Sequence, residues 1–130
     1  MTYCLAIRVD QGVVFAADTR TNAGVDYVTS YKKLHVFTPA PDRVFVMLAA
    51  GNLATTRELI DEIGRDLDRA PNGDSLLSVN YLFEAAQYVG RLSRRIQERH
   101  GPAFARSNVM GEVTLILGGQ IQDAGGQQRL

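Results

Sequence analysis

The chain has 130 residues, 45% of them hydrophobic, and its fourteen basic and fourteen acidic side chains leave no net charge. That length suits one domain with room for a core, so 1–130 is expected to form a single unit. Neutrality removes the field that would draw in nucleic acid or anionic lipid, so neither partner is expected, nor is a membrane span.

The one cysteine, Cys4, excludes an internal disulfide and a cysteine-based metal cluster. His35 and His100 have no companion at metal-ligand spacing, so solvated or hydrogen-bonded structural roles are expected for both, with no metal and no cofactor. The first twenty residues lack the basic start and continuous apolar core of a signal peptide, which points to the cytoplasm.

In chain order, Tyr3, Leu5, Ile7 and Val9 alternate with Cys4, Ala6 and Arg8 as in a half-buried strand. Asp10-Gln11-Gly12 turns the chain, and Val13 to Ala17 is a continuous apolar run that predicts a strand buried on both faces. The two strands read as a hairpin, which returns Asp18 to the side of Thr2. Asp18 to Gly24 is polar and predicts a loop at that same edge. Strand-like alternation resumes from Tyr27 to Phe37, with Lys32-Lys33 between its apolar anchors and a turn at Pro39-Ala40-Pro41-Asp42. Arg43 to Ala50 predicts a central strand ending at Gly51-Asn52.

Leu53, Leu59, Ile60, Ile63 and Leu67 recur at helical spacing, with Thr55 and Glu58 placed as a capping box. Ala70 to Asp74 breaks the chain. A longer helix follows, with Val79, Leu82, Phe83, Ala86, Val89, Leu92 and Ile96 expected on one face and a stop at His100-Gly101-Pro102. Arg91, Arg94, Arg95 and Arg99 lie off that face without interleaved aromatics, so they read as a solvated surface. Val113 to Leu117 predicts a last strand, and 120–130 reads as a flexible tail or an interrupted connection. Strands followed by helices argue for an α+β fold with helices on a largely antiparallel sheet.

The chemistry sits at the start of the chain. With Met1 removed, Thr2 presents a hydroxyl nucleophile and a free α-amine on one residue. An α-amine titrates at about 7.7–8.0, so near neutral pH part of it is unprotonated and can take the hydroxyl proton. Threonine with its own amine is a known form of activated nucleophile.

Thr2-Tyr3-Cys4, Ala16-Ala17-Asp18-Thr19-Arg20, Thr21 to Asp26, Lys33 to Phe37 and Ala49 to Thr56 together resemble the proteasome β-subunit family of N-terminal nucleophile hydrolases, in its bacterial ancestral β-subunit branch. The resemblance implies an αββα sandwich of which this chain is the N-terminal portion, truncated at its C-terminus. It implies a threonine-type peptidase acting on peptides or unfolded proteins within a homo-oligomeric ring or open spiral. The family's roles fall on Thr2 as nucleophile, Asp18 and Lys33 as its supports, and Gly51 as the oxyanion donor. The backbones of Thr21 and Asn22 resemble the edge that pairs with an extended peptide. Ala49 resembles a wall of the pocket for the side chain before the cleaved bond. The interval from Asp18 to Lys33 is one residue shorter than in the main β-subunits, leaving Lys32 as the lesser candidate for the lysine's role. Two other functions fit the same residues: a non-catalytic assembly subunit, and an N-terminal nucleophile amidohydrolase acting on a small amide.

Overall fold

The structure is a computed structural model that describes residues 1–22, 28–69, 73–126 and 128–129. Ala23, Gly24 and Tyr27 of the expected loop and strand, Ala70 to Asn72 of the expected break, and residues 127 and 130 of the expected tail lie outside the described residues. The order is β1 (Cys4–Val9), β2 (Gly12–Ala17), β3 (Arg20–Asn22), β4 (Val28–Ser30), β5 (Leu34–Ala40), β6 (Arg43–Gly51), α1 (Leu53–Arg69), α2 (Leu82–Arg106), β7 (Val113–Gln122) and β8 (Gln128–Arg129). Every described ladder is antiparallel. The chain is α+β, as its strand-then-helix order implied.

Three layers follow from the register. Phe45 and Met47 of β6 point to one face of the β5-β6-β7-β8 sheet, where they join Leu59 and Ile63 of α1 and Val89, Leu92 and Ile96 of α2 in one buried core. The helices run antiparallel, since Glu58 meets Arg99 and Asp66 meets Tyr88. Alternation turns Leu48 and Gly118 to the opposite face, which the β1–β2 hairpin covers. The Phe15 ring fills the space that a Cβ on Gly118 would need.

The hairpin forms with Cys4 opposite Ala17 and Val9 opposite Gly12. Its second strand is not buried on both faces, because Val14 and Ala16 stand exposed. Nothing among the described residues lies over the outer side of this two-stranded sheet, and Ile7 and Val9 share that exposure.

The polar stretch after Asp18 is not wholly loop. Arg20–Asn22 finds backbone partners in Val28–Ser30 and becomes a strand. The expected Tyr27–Phe37 strand is split at residues 31–33, where Tyr31 N bonds Thr19 O at 2.6 Å. Pro39 lies within β5 rather than in a turn, and a register shift between Phe37 and Ala40 accommodates a residue with no N–H to donate.

Asn52, not Thr55, caps α1: its Oδ1 accepts from Thr55 N at 2.9 Å. Glu58 therefore lies inside the helix, where its carboxylate holds Arg99 at 2.6 Å and His100 at 2.7 Å. α2 does not stop at His100-Gly101-Pro102 but runs to Arg106, because a helix survives the loss of the one bond a proline N–H would supply when packing continues beyond it. Phe104, past the proline, packs edge-on to His100 at 6.1 Å and against Gly111. The buried stripe is Ala85, Tyr88, Val89, Leu92, Ser93 and Ile96, whereas Phe83 and Ala86 of the expected face are exposed. Val79 is buried ahead of the helix rather than within it.

The last strand is longer than Val113 to Leu117. It continues to Gln122 because Val44 and Arg43 supply partners to Gln120 and Ile121, and Gln128–Arg129 then pair with its end. The stretch expected as a tail thus begins inside the sheet. His35 is only partly as expected. It shares the helix-side face with Met47, and its ring reaches the Lys32 backbone while its Nε2 is buried without a partner; burial lowers its pKa. The arginines of α2 do form a solvated face, with Arg91 and Arg99 paired to acidic side chains.

Candidate functional site

The hairpin register decides where the first residues go. Cys4 faces Ala17, and the ladder extends one step further, with Asp18 N donating to Tyr3 O at 3.1 Å. The return bond comes from the carboxylate: Tyr3 N donates to Asp18 Oδ1 at 2.7 Å. Asp18 Oδ2 accepts from Arg20 N at 3.0 Å and from Lys33 Nζ at 2.8 Å. The Lys33 ammonium also donates to Arg20 O at 2.6 Å.

These bonds define an electrostatic unit. Lys33 is 5% exposed, and a lysine so buried needs its charge matched, which Asp18 and a carbonyl dipole do. In return the Lys33 bond, helped by the two backbone N–H groups, holds the Asp18 carboxyl down at about 2. Lys32, the other candidate, is exposed and takes no part in this unit. β6 holds Lys33 in place through its main chain, since Ala49 N donates to Lys33 O at 2.9 Å.

Thr2, Thr21, Lys33, Ala49 and Gly51 all line one cavity of about 210 Å³. Asp18 lies just outside it, in a neighbouring hollow that shares Met1, Thr2 and Arg20. Asn22 closes β3 opposite Val28, and its side chain lies outside the described residues. Arg20, Tyr31, Leu53 and Thr56 also line the cavity, although the sequence reading assigned them no part in it. Arg20, Leu53 and Thr56 fell inside the segments that carry the resemblance, but with no role given to them.

Gly51 has a backbone conformation that suits its absent side chain. Its φ is +110°, and a Cβ would strike the Glu112 carbonyl oxygen. Asn52 N bonds Glu112 O at 2.9 Å across β7. By strand alternation the Gly51 N–H faces the other way, to the side on which Ala49 meets Lys33. The side chain of Cys4 sits near this edge, 4.0 Å from Ala49 O, where burial pushes its thiol up.

The Thr2 hydroxyl, the matched Lys33 ammonium and the Gly51 N–H surround one cavity that Met1 also lines, and together with a Thr2 amine, which exists only once Met1 is removed, they make a set able to perform acyl transfer. No protein-family model matches the chain, and no curated protein is similar to it. Solved structures are. An Anbu Gly-1 mutant from Hyphomicrobium sp. strain MC1 is 39% identical with a TM-score of 0.79 over 94% of this chain and 48% of its own. Anbu, the ancestral β-subunit, from Yersinia bercovieri is 35% identical with a TM-score of 0.80 over 94% and 49%. A helical assembly of the Anbu complex from Pseudomonas aeruginosa gives 35% identity and a TM-score of 0.81 over 98% and 51%.

By fold and by sequence the chain is similar to Anbu. It spans about half the length of the Anbu chains it matches, so its three layers are part of the Anbu fold. Of the segments that carry the resemblance in sequence, Thr2, Arg20, Thr21, Lys33, Ala49, Ala50, Gly51, Leu53 and Thr56 line this cavity. No helix among the described residues is long and apolar enough to cross a membrane.

Proposed function

We propose that this chain carries the nucleophile end of a threonine-type peptidase that works in the cytoplasm as a homo-oligomer on peptides or unfolded proteins. The observation that supports it above others is the buried Lys33–Asp18 pair at 2.8 Å beside a cavity lined by Thr2 and Gly51. Removal of Met1 frees the Thr2 amine. That amine takes the hydroxyl proton as Oγ attacks the peptide carbonyl, and the Gly51 N–H stabilises the oxyanion. The amine returns the proton to the leaving nitrogen as the C–N bond breaks. Water then attacks the acyl-threonine ester by the same route and releases the acid. Lys33 favours the developing alkoxide and disfavours the protonated amine. Asp18 holds Lys33 in position. The Thr21 and Asn22 backbones take the extended substrate, and Ala49 lines the pocket for the side chain before the cleaved bond. Self-assembly has support in the helical assembly formed by the Pseudomonas relative.

Intact-mass measurement tests the reading. The expected mass lacks Met1 and gains one equivalent of a peptide epoxyketone or β-lactone, and Thr2→Ala abolishes the addition. A chain that keeps Met1 and takes no label on Thr2 would overturn it.

A further inference from the structure

We infer that Asn52 is a positioning residue for the reaction: its side chain ties the end of β6 to residues 110–112 and so fixes the direction of the Gly51 N–H that meets the oxyanion. The inference rests on the peptidase reading, which gives that N–H its role. Such a donor is effective when it is held in place before charge develops, because nothing then has to reorganise as the oxyanion forms. Glycine does not hold itself. Without a Cβ it adopts either sign of φ readily, so the +110° of Gly51 is imposed by what surrounds it.

Three bonds supply that constraint. Asn52 N donates to Glu112 O at 2.9 Å, Asn52 Nδ2 donates to Met110 O at 3.1 Å, and Thr55 Oγ1 donates to Gly111 O at 3.0 Å. Three successive carbonyls of one segment are thus gripped by the first turn of α1 and its cap. The segment is anchored in turn to the end of α2, where Val109 N donates to Phe104 O at 2.9 Å and the Phe104 ring occupies the space of a Gly111 Cβ. Glu112 O stands where a Cβ of Gly51 would go, so a shift of the segment is felt directly at the donor.

The need for an amide follows. Oδ1 accepts from Thr55 N at 2.9 Å, a task that aspartate or serine performs equally well as a helix cap. The bond to Met110 O requires a donor on the same side chain, and asparagine alone among the strong caps carries an N–H donor beside its acceptor oxygen. Capping therefore accounts for only half of what Asn52 does.

The test uses the whole chain and follows Thr2 labelling by intact mass, with kinact and KI measured separately for a peptide epoxyketone. A peptide vinyl sulfone of the same sequence is the control, since its capture by Oγ places no alkoxide on a carbonyl carbon. Asn52→Asp keeps the acceptor for Thr55 N and removes the donor to Met110 O, and its charge meets the favourable end of the α1 dipole, so it should melt close to the wild type. Its kinact for the epoxyketone is expected to fall about tenfold or more with KI unchanged, while the vinyl sulfone slows much less. Asn52→Ser, which caps α1 but ends short of Met110, should show the same split. Gly111→Ala, which displaces Phe104, should show it from the other side of the segment. Because the result is a ratio of two probes within one variant, partial loss of the fold does not imitate it. Equal slowing of both probes, or wild-type kinact in Asn52→Asp and Asn52→Ser, overturns the role of Asn52 and leaves the peptidase reading standing. No labelling of the unsubstituted protein by either probe overturns both.

Discussion

At the scale of single residues, the site is governed by one glycine and one ion pair. Gly51 combines a φ of +110° with a carbonyl oxygen where a Cβ would stand. Gly51→Ala is therefore expected to cost about 1–3 kcal/mol from backbone strain alone, read as a lowered Tm, with further loss from displacing β7. Asp18 has an ordinary value of 3.8 and a folded value of about 2. Its carboxylate contributes to stability fully above pH 4, and that contribution fades as pH falls towards 2. Thermal melts between pH 5 and 2 should show this loss in the wild type and a shallower slope in Asp18→Asn. Lys33→Ala removes the cation from the cavity wall, and labelling of Thr2 should slow by about a hundredfold or more. Of this site, Thr2 could be named from its place behind Met1, whereas Asp18, Lys33 and Gly51 were named through the family resemblance. The resemblance already preferred Lys33 to Lys32, and the burial of the one and exposure of the other give the physical reason, whereas Arg20 needed the fold to bring it to the cavity.

At the scale of elements, the helix pair and its anchors set the stability of the core. Ile63 of α1 is fully buried in the core shared with α2 and β6, so Ile63→Ala should cost about 2–5 kcal/mol in denaturant unfolding. Asn52 is the α1 cap, and Asn52→Ala should cost about 1 kcal/mol in the same experiment. Arg43 reaches across to the carbonyl oxygens of Leu76, Leu77 and Val79, at 3.3, 2.8 and 2.8 Å, and so pins the segment leading into α2. Elements with strong periodicity were legible: α1, β6 and the hairpin stand where alternation and helical spacing place them. Those decided by a partner were not. Arg20–Asn22 is polar and became a strand because residues 28–30 lie beside it, and β7 outran its apolar stretch because β6 continues to pair with it. Pro102 misled for the converse reason: a local breaker was outweighed by Phe104 packing beyond it.

At the scale of the molecule, three layers leave one face uncovered. Ile7, Val9 and Val14 are each close to half exposed on the outer side of the hairpin, in a chain about half as long as the Anbu proteins it matches. Apolar surface of this kind promotes association. The double substitution Ile7→Thr and Val14→Thr should lower light scattering at high protein concentration without moving the helical circular dichroism signal. The hairpin also acts as a measuring rod. Its tip at Asp10-Gln11 lies at the far end from Thr2, and its arms carry Tyr3 and Asp18 to one place by equal counts of residues, with Thr2 next to them. Lengthening the tip leaves that count intact, whereas a single residue added inside one arm turns every side chain beyond it to the opposite face and parts Tyr3 from the Asp18 carboxylate. Insertions should therefore be tolerated at the tip and fatal to the site when placed between Cys4 and Val9, so that the spacing along this arm constrains the chain more tightly than the identity of its outward side chains.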